Sequence, residues 1–224
     1  VEVIQVPSRL AEIPACLDAL ARLEIASLTR EDLEKTHMYT QERLRRLQRE
    51  ELAETGGSTL DYLKSLNMKM SVGLDDLSHV TRLAQLTQKT NQFNLTTRRY
   101  NEKDIAEKID DANTSVFHFS LADSFGDSGI VGVAIVEHDP GNCARLDTFL
   151  MSCRVIGRMA EKAFLNTILR YLKSRGIEEL SADYIPTRKN ILVQKFLPDN
   201  GFCQTTGGNY VKNLLSSTFD LVSD

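Results

Sequence analysis

The chain has 224 residues, of which 42% are hydrophobic and 26% are charged, and its formal net charge is −4. This composition is typical of a soluble globular protein with enough chain for one large or two small domains, and the acidic balance argues against nucleic acid as the main partner. No apolar run approaches the roughly 20 residues that span a bilayer, and no signal-peptide pattern occurs, so we predict a cytoplasmic protein without a membrane partner.

The N-terminal region is predicted to be mostly helical. The first residue is Val1 rather than methionine, which we interpret as the start of a piece cut from a longer polypeptide. Residues 1–7 alternate between apolar and polar side chains, which is typical of a strand. Residues 8–27 have the pattern of a short helix, in which we expect Cys16 to be a core residue.

Two further helices are expected before the main domain. Thr29 followed by Asp32 has the pattern of an N-cap and opens a charged helix that runs to about residue 53. Its closely mixed charges indicate a solvated surface with opposite charges paired four residues apart. After a break at two glycines, Ser58 is expected to cap a short helix that ends at Leu66.

The main domain is predicted to comprise residues 67–224, and we interpret residues 1–66 as a helical linker that remains from an upstream domain. A first strand is expected at residues 68–73, followed by a helix at 75–93 whose apolar side chains share one stripe. After a polar segment, three more strands are predicted, at residues 115–121, 130–137 and 144–152. Glycines in the turn between the first two of these suit the positive φ angles of a hairpin.

A long amphipathic helix follows the last of these strands and ends at Gly176. Residues 180–185 have the pattern of a buried strand, which must pair in parallel because a helix connects it to the preceding strand. A short helix is expected at residues 190–197, and the closing strands begin near Gly201. This order of elements predicts an α+β fold, in which helices flank a mixed β-sheet.

The cysteines are Cys16, Cys143, Cys153 and Cys203, and they form no Cys-x-x-Cys pair and no spacing typical of zinc ligands. We therefore predict no metal site and no disulfide framework, and we expect Cys143 and Cys203 to be structural. Cys153 lies where the fourth strand is expected to meet the long helix. A thiol at a helix start faces unpaired N–H groups that favour the thiolate, whereas the alternative is a small buried residue. The pattern leaves both open.

Several strings carry a family resemblance. The turn Arg154-Val155-Ile156-Gly157-Arg158-Met159, with Asn200-Gly201-Phe202 after the last short helix, resembles the GNAT acyltransferase fold. The longer strings are residues 86–100, Phe125-Gly126-Asp127 with Gly129, residues 149–157, and Tyr184-x-Pro186-Thr187-x-Lys189-Asn190. Together, over about residues 1–210, they resemble the C-terminal half of the FkbH-like glyceryltransferase family.

The resemblance implies an activity and its partners. Members load a glyceryl group from 1,3-bisphosphoglycerate onto the phosphopantetheine thiol of an acyl carrier protein in polyketide biosynthesis. In that family a HAD-type phosphatase domain precedes the GNAT-like domain, and its Asp-x-Asp-x-Thr/Val loop does not occur in this sequence. We therefore expect the phosphatase upstream or in trans, a small phosphorylated three-carbon substrate, no tightly bound cofactor and no metal.

Two residues depart from an ordinary acetyl-CoA enzyme. The turn normally ends in Gly or Ala, so that backbone N–H groups close on the pyrophosphate of CoA, but Met159 stands here. In many GNAT enzymes the short helix offers a tyrosine as general acid, and Leu197 occupies that position. A carrier-bound pantetheine arm has one phosphate and no nucleotide, so it would tolerate Met159 better than CoA would. The missing tyrosine removes the usual acid for direct transfer and leaves room for a covalent route.

The resemblance and the residue types together suggest roles for the site. Cys153 is the expected nucleophile, because a thiolate accepts an acyl group readily near neutral pH. His118, on a predicted strand, is a candidate general base, with a satisfied or solvent-facing histidine as the alternative. Asp127 is a candidate to orient the base or bind glyceryl hydroxyls, and Asp123 more simply forms an Asx turn.

Candidate substrate-binding residues fall into two groups. The polar side chains of Asn91, Gln92, Asn94 and Thr96 surround Phe93, and they suit either recognition of a polyhydroxy acyl chain or capping of a helix end. The cationic candidates for a substrate or pantetheine phosphate are Arg154, Arg158, Arg188 and Lys189, and Asn190 is a candidate for a pantetheine amide.

Two other functions stay open at this point. One is a GNAT enzyme that acylates an amine directly from CoA, which predicts CoA binding and no covalent intermediate. The other is a noncatalytic module that docks a carrier protein, which predicts binding that is indifferent to Cys153.

Overall fold

A computed structural model of the protein describes residues 30–215, with side chains from residue 38 onward. The predicted strand at residues 1–7, the predicted helix at residues 8–27 and the predicted N-cap at Thr29 lie outside the described residues. Within residues 30–215, no helix combines the length and the apolar composition that a bilayer crossing requires.

The first two helices follow the sequence pattern closely. Helix α1 spans Arg30–Glu54, and its exposed Arg46 pairs with Glu50 at 3.5 Å, as expected for mixed charges four residues apart. Helix α2 spans Thr59–Ser65. Ser58 caps it, and Asp61 completes a reciprocal capping box, so the predicted cap is confirmed.

The chain divides into two compact units, Val1–Glu50 and Glu51–Asp224. The division lies earlier than the predicted boundary at residue 67, which stays a prediction. Helix α2 and the residue after it pack within the second unit: Tyr62, Leu63 and Leu66 form a cluster with Leu52, Met68 and Phe125. The backbone N–H and the hydroxyl of Ser124 also donate hydrogen bonds to the carbonyl of Leu66, both at 2.9 Å.

Eight strands form one mixed sheet, which confirms the predicted fold class. The strands are β1 (Lys69–Leu74), β2 (Phe93–Asn94), β3 (Thr114–Asp123), β4 (Gly126–Asp139), β5 (Cys143–Met151), β6 (Glu179–Ala182), β7 (Cys203–Gln204) and β8 (Tyr210–Asn213). Their spatial order is β1-β3-β4-β5-β6-β8-β7, with β2 paired to β5. Only the β5–β6 pairing is parallel among these strands, as expected for strands joined through a helix.

Helices cover both faces of the sheet. They are α3 (Val80–Lys89), α4 (Glu102–Asp110), α5 (Ala160–Ser174) and the short α6 (Phe196–Asp199). On one face, Phe164 of α5 packs with Phe119 and Phe149 of the sheet in the larger buried cluster. On the other face, Leu83 of α3 and Ile105 of α4 pack in a second cluster. Successive strand residues serve opposite faces, which is why both clusters draw on β3, β4 and β5.

The structure corrects three expected boundaries. The helix expected at 75–93 is shorter, because a 3₁₀ turn at Leu77–His79 precedes α3. The polar segment after it contains β2 and α4, and α4 is opened by a capping box that Asn101 forms with Asp104. The helix expected at 190–197 divides into a 3₁₀ turn at Ile191–Val193 and α6.

The edge of β5 is occupied along its whole length. Its first half pairs with β6, from Cys143 to Leu146, and its last two residues pair with β2. Between these stretches, the N–H of Leu95 donates to the carbonyl of Phe149 at 3.1 Å, while the N–H of Ile185 donates to the carbonyl of Leu95 at 2.9 Å. Residues 93–95 therefore lie as an added strand between β5 and the segment that follows β6.

Candidate functional site

An open pocket of 420 Å³ lies beside α3, at the point where the chain leaves β5. Its lining residues are Arg82, Gln85, Leu86, Lys89, Thr90, Asn91, Gln92, Ser152, Cys153 and Arg154. We call it the Cys153 pocket. The thiol of Cys153 is exposed, so the alternative reading of this cysteine as a small buried residue is wrong.

The chain positions Cys153 immediately beyond the sheet. The N–H of Ser152 donates to the carbonyl of Val131 at 2.7 Å, and Cys153 then opens a 3₁₀ turn that ends at Val155. Helix α5 begins only at Ala160. The expected position at a helix start is therefore wrong, because Gly157 and Met159 take positive φ angles of 83° and 58° that a continuous helix excludes.

Positive charge dominates the pocket. Arg82 donates two hydrogen bonds to the carbonyl of Ile130, at 3.1 and 2.9 Å, which fixes its guanidinium. Burial lowers the pKa of Arg82, and the nearby charge of Arg154 lowers it further. Lys89 adds a third cationic side chain, and no carboxylate is among the described residues that line this pocket. The lining therefore suits an anionic ligand.

Two members of the predicted polar cluster line the pocket. Asn91 accepts a hydrogen bond of 2.5 Å from the guanidinium of Arg99, which orients its amide, and Gln92 is exposed. The other members lie inside the protein, where Phe93 packs in the core and Thr96 donates to the carbonyl of Asp147 at 3.0 Å. Of this cluster, only Asn91 and Gln92 are therefore placed to contact a substrate in the pocket.

Asn94 and Asn190 act together as an internal tie, and both are fully buried. The amide nitrogen of Asn190 donates to the carbonyl of Asn94 at 2.8 Å and to that of Ile185 at 3.0 Å. Its amide oxygen accepts from the backbone N–H of Thr187 at 2.7 Å. The expectation that Asn190 binds a pantetheine amide is therefore wrong, because its hydrogen-bonding atoms hold the added strand in place.

The remaining cationic candidates lie elsewhere. Arg158 is only 6% exposed, and it pairs with the buried carboxylate of Asp123 at 3.0 Å. Its role is thus internal rather than at a ligand surface. Arg188 and Lys189 are exposed, but neither lines the Cys153 pocket.

The two aspartates of the β3–β4 hairpin form Asx turns. The carboxylate of Asp123 accepts the N–H of Phe125 at 2.9 Å, which confirms the simpler reading of that residue. Asp127 accepts the N–H of Gly129 at 2.8 Å, which is the same turn geometry. Asp127 does not line the Cys153 pocket.

His118 is also remote from this pocket. It lies on β3, is 6% exposed, and its ring meets that of His79 edge to face with 5.0 Å between centroids. Burial lowers the pKa of His118, and the proximity of His79 lowers it further. The structure thus places the candidate base among residues of the 3₁₀ turn and not among those that line the pocket of Cys153.

Sequence reasoning missed Arg82, Gln85 and Lys89, although a signal for them exists. These residues lie three and four positions apart on an amphipathic helix, so they share one polar face of α3. Only the position of that face against the end of β5 turns it into a pocket wall.

The turn before α5 has a left-handed residue at its end, although that residue is Met159 and not glycine. Met159 adopts a left-handed conformation and is 51% exposed, so its side chain points away from the core. In the first turn of α5, Glu161 has a buried oxygen with no hydrogen-bond partner among the described residues, and burial raises its pKa. Leu197 is 1% exposed and packs in the core, so it offers no acid group.

Known structures resemble this fold. An acetyltransferase of the GNAT family from Staphylococcus aureus Mu50 is similar, with 15% identity, a TM-score of 0.50, and coverage of 65% of this chain and 99% of that one. A domain from Methanocaldococcus jannaschii DSM 2661 has the same identity and coverage, with a TM-score of 0.51. No family model and no curated protein sequence matches the chain. The mixed sheet, the covering helices and these likenesses show that the main domain has the GNAT fold.

Proposed function

We propose that this chain is an acyltransferase that carries its acyl group on Cys153. The observation that supports this proposal is an exposed thiol in a 420 Å³ pocket whose charged lining is entirely cationic, from Arg82, Lys89 and Arg154. A cationic wall attracts an anionic donor such as an acyl phosphate, and a cysteine sulfur accepts the acyl group. The GNAT fold is compatible with acyl transfer as the general chemistry.

The donor in this proposal is 1,3-bisphosphoglycerate, as the resemblance to FkbH-like proteins implies. The sulfur of Cys153, as thiolate, attacks the carbonyl carbon of the acyl phosphate. The bond from that carbon to the phosphate oxygen breaks, and inorganic phosphate leaves with the electron pair. The product is a phosphoglyceryl thioester on Cys153. Because no histidine of residues 38–215 lines the pocket, solvent takes the proton that the thiol loses.

The second step passes the acyl group to the pantetheine thiol of an acyl carrier protein. The pantetheine sulfur attacks the thioester carbonyl, the bond to the sulfur of Cys153 breaks, and Cys153 recovers its thiol. A HAD-type phosphatase, upstream or in trans, removes the remaining phosphate. No tightly bound cofactor takes part in either step.

The occupied edge of β5 limits the path by which a pantetheine arm could reach Cys153. Residues 93–95 already hydrogen-bond the stretch of β5 from Phe149 to Met151. A pantetheine arm therefore cannot pair with that backbone unless the added strand leaves. In our proposal the arm reaches Cys153 through the open pocket between α3 and the turn that follows β5.

Intact-protein mass spectrometry tests this function. The chain is incubated first with 1,3-bisphosphoglycerate and then with a phosphopantetheinylated carrier protein, and both proteins are weighed after each step. We expect a phosphoglyceryl adduct on the chain in the first step and on the carrier in the second. Cys203→Ala, which removes another exposed thiol outside the pocket, should behave like the parent, and Cys153→Ala should stay unmodified. An adduct on Cys153→Ala would overturn the proposal.

The GNAT fold itself favours a second candidate, direct N-acylation from CoA. This reaction would need the turn at Arg154–Met159 and the start of α5 to hold a pyrophosphate. The half-buried carboxyl group of Glu161 in that first helical turn opposes a phosphate there. Tight CoA binding, amine acylation and no covalent adduct in the same assay would favour this candidate. Carrier binding that is equal with and without Cys153 would instead indicate a docking module.

A further inference from the structure

A second cluster of reactive side chains lies apart from the Cys153 pocket. Asp76 caps the 3₁₀ turn before α3, His79 ends that turn, and His118 belongs to β3. Each offers one ligand atom, and these three atoms all lie within 4.8 Å of one another. None of the three residues lines the Cys153 pocket.

The turn brings the first two side chains together. In a 3₁₀ helix, residues three positions apart lie above one another, and Asp76 and His79 have this spacing. One carboxylate oxygen of Asp76 accepts the N–H and the hydroxyl of Ser78, at 2.9 and 2.6 Å, which fixes the carboxylate. Its other oxygen lies 3.5 Å from Nε2 of His79.

His118 reaches the same place from the sheet. Gly73 of β1 pairs with it in register, and a Cβ built on Gly73 would lie only 2.4 Å from Nε2 of the imidazole. Glycine at this position therefore makes the room that the ring needs. A side chain at residue 73 would push His118 away from Asp76 and His79.

A buried nitrogen of His118 supplies an independent indication of a ligand. The residue is 6% exposed, and its Nδ1 is buried with no hydrogen-bond partner among the described residues. Buried polar atoms are nearly always satisfied, since leaving one without a partner destabilises the fold. The ring of His118 contributes one nitrogen to the group of ligand atoms that it forms with Asp76 and His79, so a cation bound there would give this buried ring a polar partner.

We propose that Asp76, His79 and His118 bind a divalent first-row transition metal, with Zn²⁺ as the principal candidate. Two imidazoles and one carboxylate form a ligand set that Zn²⁺ accepts with a fourth position open. Two ligands of a tetrahedral Zn²⁺ ion lie about 3.3 Å apart when each bond is about 2.0–2.1 Å long. The 3.5 Å between Asp76 and His79 is already near this value.

The remaining coordination position would face solvent. The side chains of Asp76 and His79 are 42% and 41% exposed, whereas His118 forms the buried wall of the site. This proposal differs from the expectation of no metal, which rested on local spacing. Local spacing shows only Asp76 and His79, because the third ligand comes from a distant strand.

Metal titration of the complete, tag-free chain tests the proposal. After treatment with a chelator, the protein is titrated with Co²⁺, whose visible absorption reports tetrahedral nitrogen and oxygen ligands, and Zn²⁺ is then added as competitor. We expect one Co²⁺ per chain, displaced by one Zn²⁺. Bound Zn²⁺ should also raise the melting temperature in a concentration-dependent way, since it binds the folded state.

The matched variants are His79→Asn in the cluster and His138→Asn outside it. His138 hydrogen-bonds Ser115, so its replacement removes a histidine but no ligand. We expect His79→Asn to lose at least about tenfold in Zn²⁺ affinity and His138→Asn to keep the parent affinity. A variant of His118 could fail to fold, because this residue is buried. Asp76→Asn therefore serves as the second test. Undiminished affinity in both His79→Asn and Asp76→Asn, or no Zn²⁺ binding by the parent, would overturn the proposal.

Discussion

Met159 is held in a backbone conformation that its side chain disfavours. Its φ is 58°, in the left-handed region, where a residue with a Cβ costs roughly 1–2 kcal/mol. The side chain is 51% exposed, so packing offsets little of that cost. Glycine adopts this conformation without strain, which is the physical reason that a turn of this shape favours glycine.

We therefore expect Met159→Gly to increase the free energy of unfolding by about 0.5–1 kcal/mol, after the greater freedom of glycine in the unfolded chain is deducted. Urea denaturation followed by circular dichroism measures this change. Gly157→Ala is the matched control, because Gly157 has a φ of 83° and an added Cβ would meet nothing within 4 Å. It should lose about 1 kcal/mol from backbone strain alone. A less stable Met159→Gly would contradict the assigned strain.

At this scale, the sequence left open whether Cys153 is reactive or buried, and it placed the residue at the start of the long helix, which is wrong. Residue types predict a helix from apolar spacing, and the spacing from Ile156 onward is helical in pattern. The positive φ of Met159 cannot be read from a methionine, because that side chain normally avoids such a conformation. The start of α5 at Ala160 was therefore not predictable from local pattern.

Among the elements, the added strand and the segment after it are held by one buried carboxylate. Asp147 of β5 is 3% exposed and accepts hydrogen bonds from the hydroxyls of Tyr100, at 2.6 Å, and Thr148, at 2.9 Å. Arg98 also forms an ion pair with this carboxylate. Burial, and then the hydrogen bond to Asp147, raises the pKa of Tyr100, so its phenol stays protonated as a donor. Residues 93–100 are thereby tied to β5.

Replacing Asp147 with Asn should destabilise this connection strongly. The change removes the charge that pairs with Arg98 and the oxygen that accepts the proton of Tyr100. Removal of one partner of a buried pair costs about 3–5 kcal/mol, and we expect the lower end because Arg98 is 30% exposed. Chemical denaturation at constant pH gives the change in the free energy of unfolding.

The control for this prediction is Tyr100→Phe, which removes one hydrogen bond and should cost about 1.5 kcal/mol. Because both residues share one network, the double variant should lose less than the sum of the single variants. Strict additivity would show that Asp147 and Tyr100 act independently, contrary to the network described above.

Element by element, strong periodicity was the reliable guide. The strands β3 to β6 and helix α5 were all predicted, because their buried side chains repeat with periods of two or near 3.6. Strand β2 and helix α4 were missed. The first has only two residues, which is too short for a periodic pattern. The second has a signal that was overlooked, because Ile105 and Ile109 lie four residues apart among charged residues that made the segment look like a polar loop. The roles of Asn94 and Asn190 depend on a contact 96 residues apart along the chain, which no local pattern contains.

For the whole molecule, the division into two units raises the question of the residue at which the main domain begins. The sequence pattern puts the boundary after Leu66, whereas the compact unit starts at Glu51. The intervening residues contain α2 and its cluster, in which Leu66 has no exposed surface. Thr55 donates hydrogen bonds to the carbonyls of Glu51 and Leu52, so the last turn of α1 is closed by residues of the same unit. These contacts favour the earlier start.

We expect a chain of residues 51–224 to unfold in one cooperative transition, and a chain of residues 67–224 to be markedly less stable. The shorter chain loses Tyr62, Leu63 and Leu66, and each buried side chain of this size contributes about 1.5–3 kcal/mol. It also uncovers Phe125, which packs against them. The expected difference in the free energy of unfolding is therefore on the order of 5 kcal/mol.

Urea denaturation followed by both near- and far-ultraviolet circular dichroism distinguishes the two boundaries, because coincident transitions indicate two-state unfolding. The single variant Leu66→Ala in residues 51–224 is the internal control. It should lose about 2–5 kcal/mol if this side chain fills the core as described. Equal stability of the two chains would show that α2 is a linker, as the sequence pattern suggested. If the shorter chain has a lower free energy of unfolding, and Leu66→Ala reproduces part of that loss, α2 is instead an integral part of the main domain.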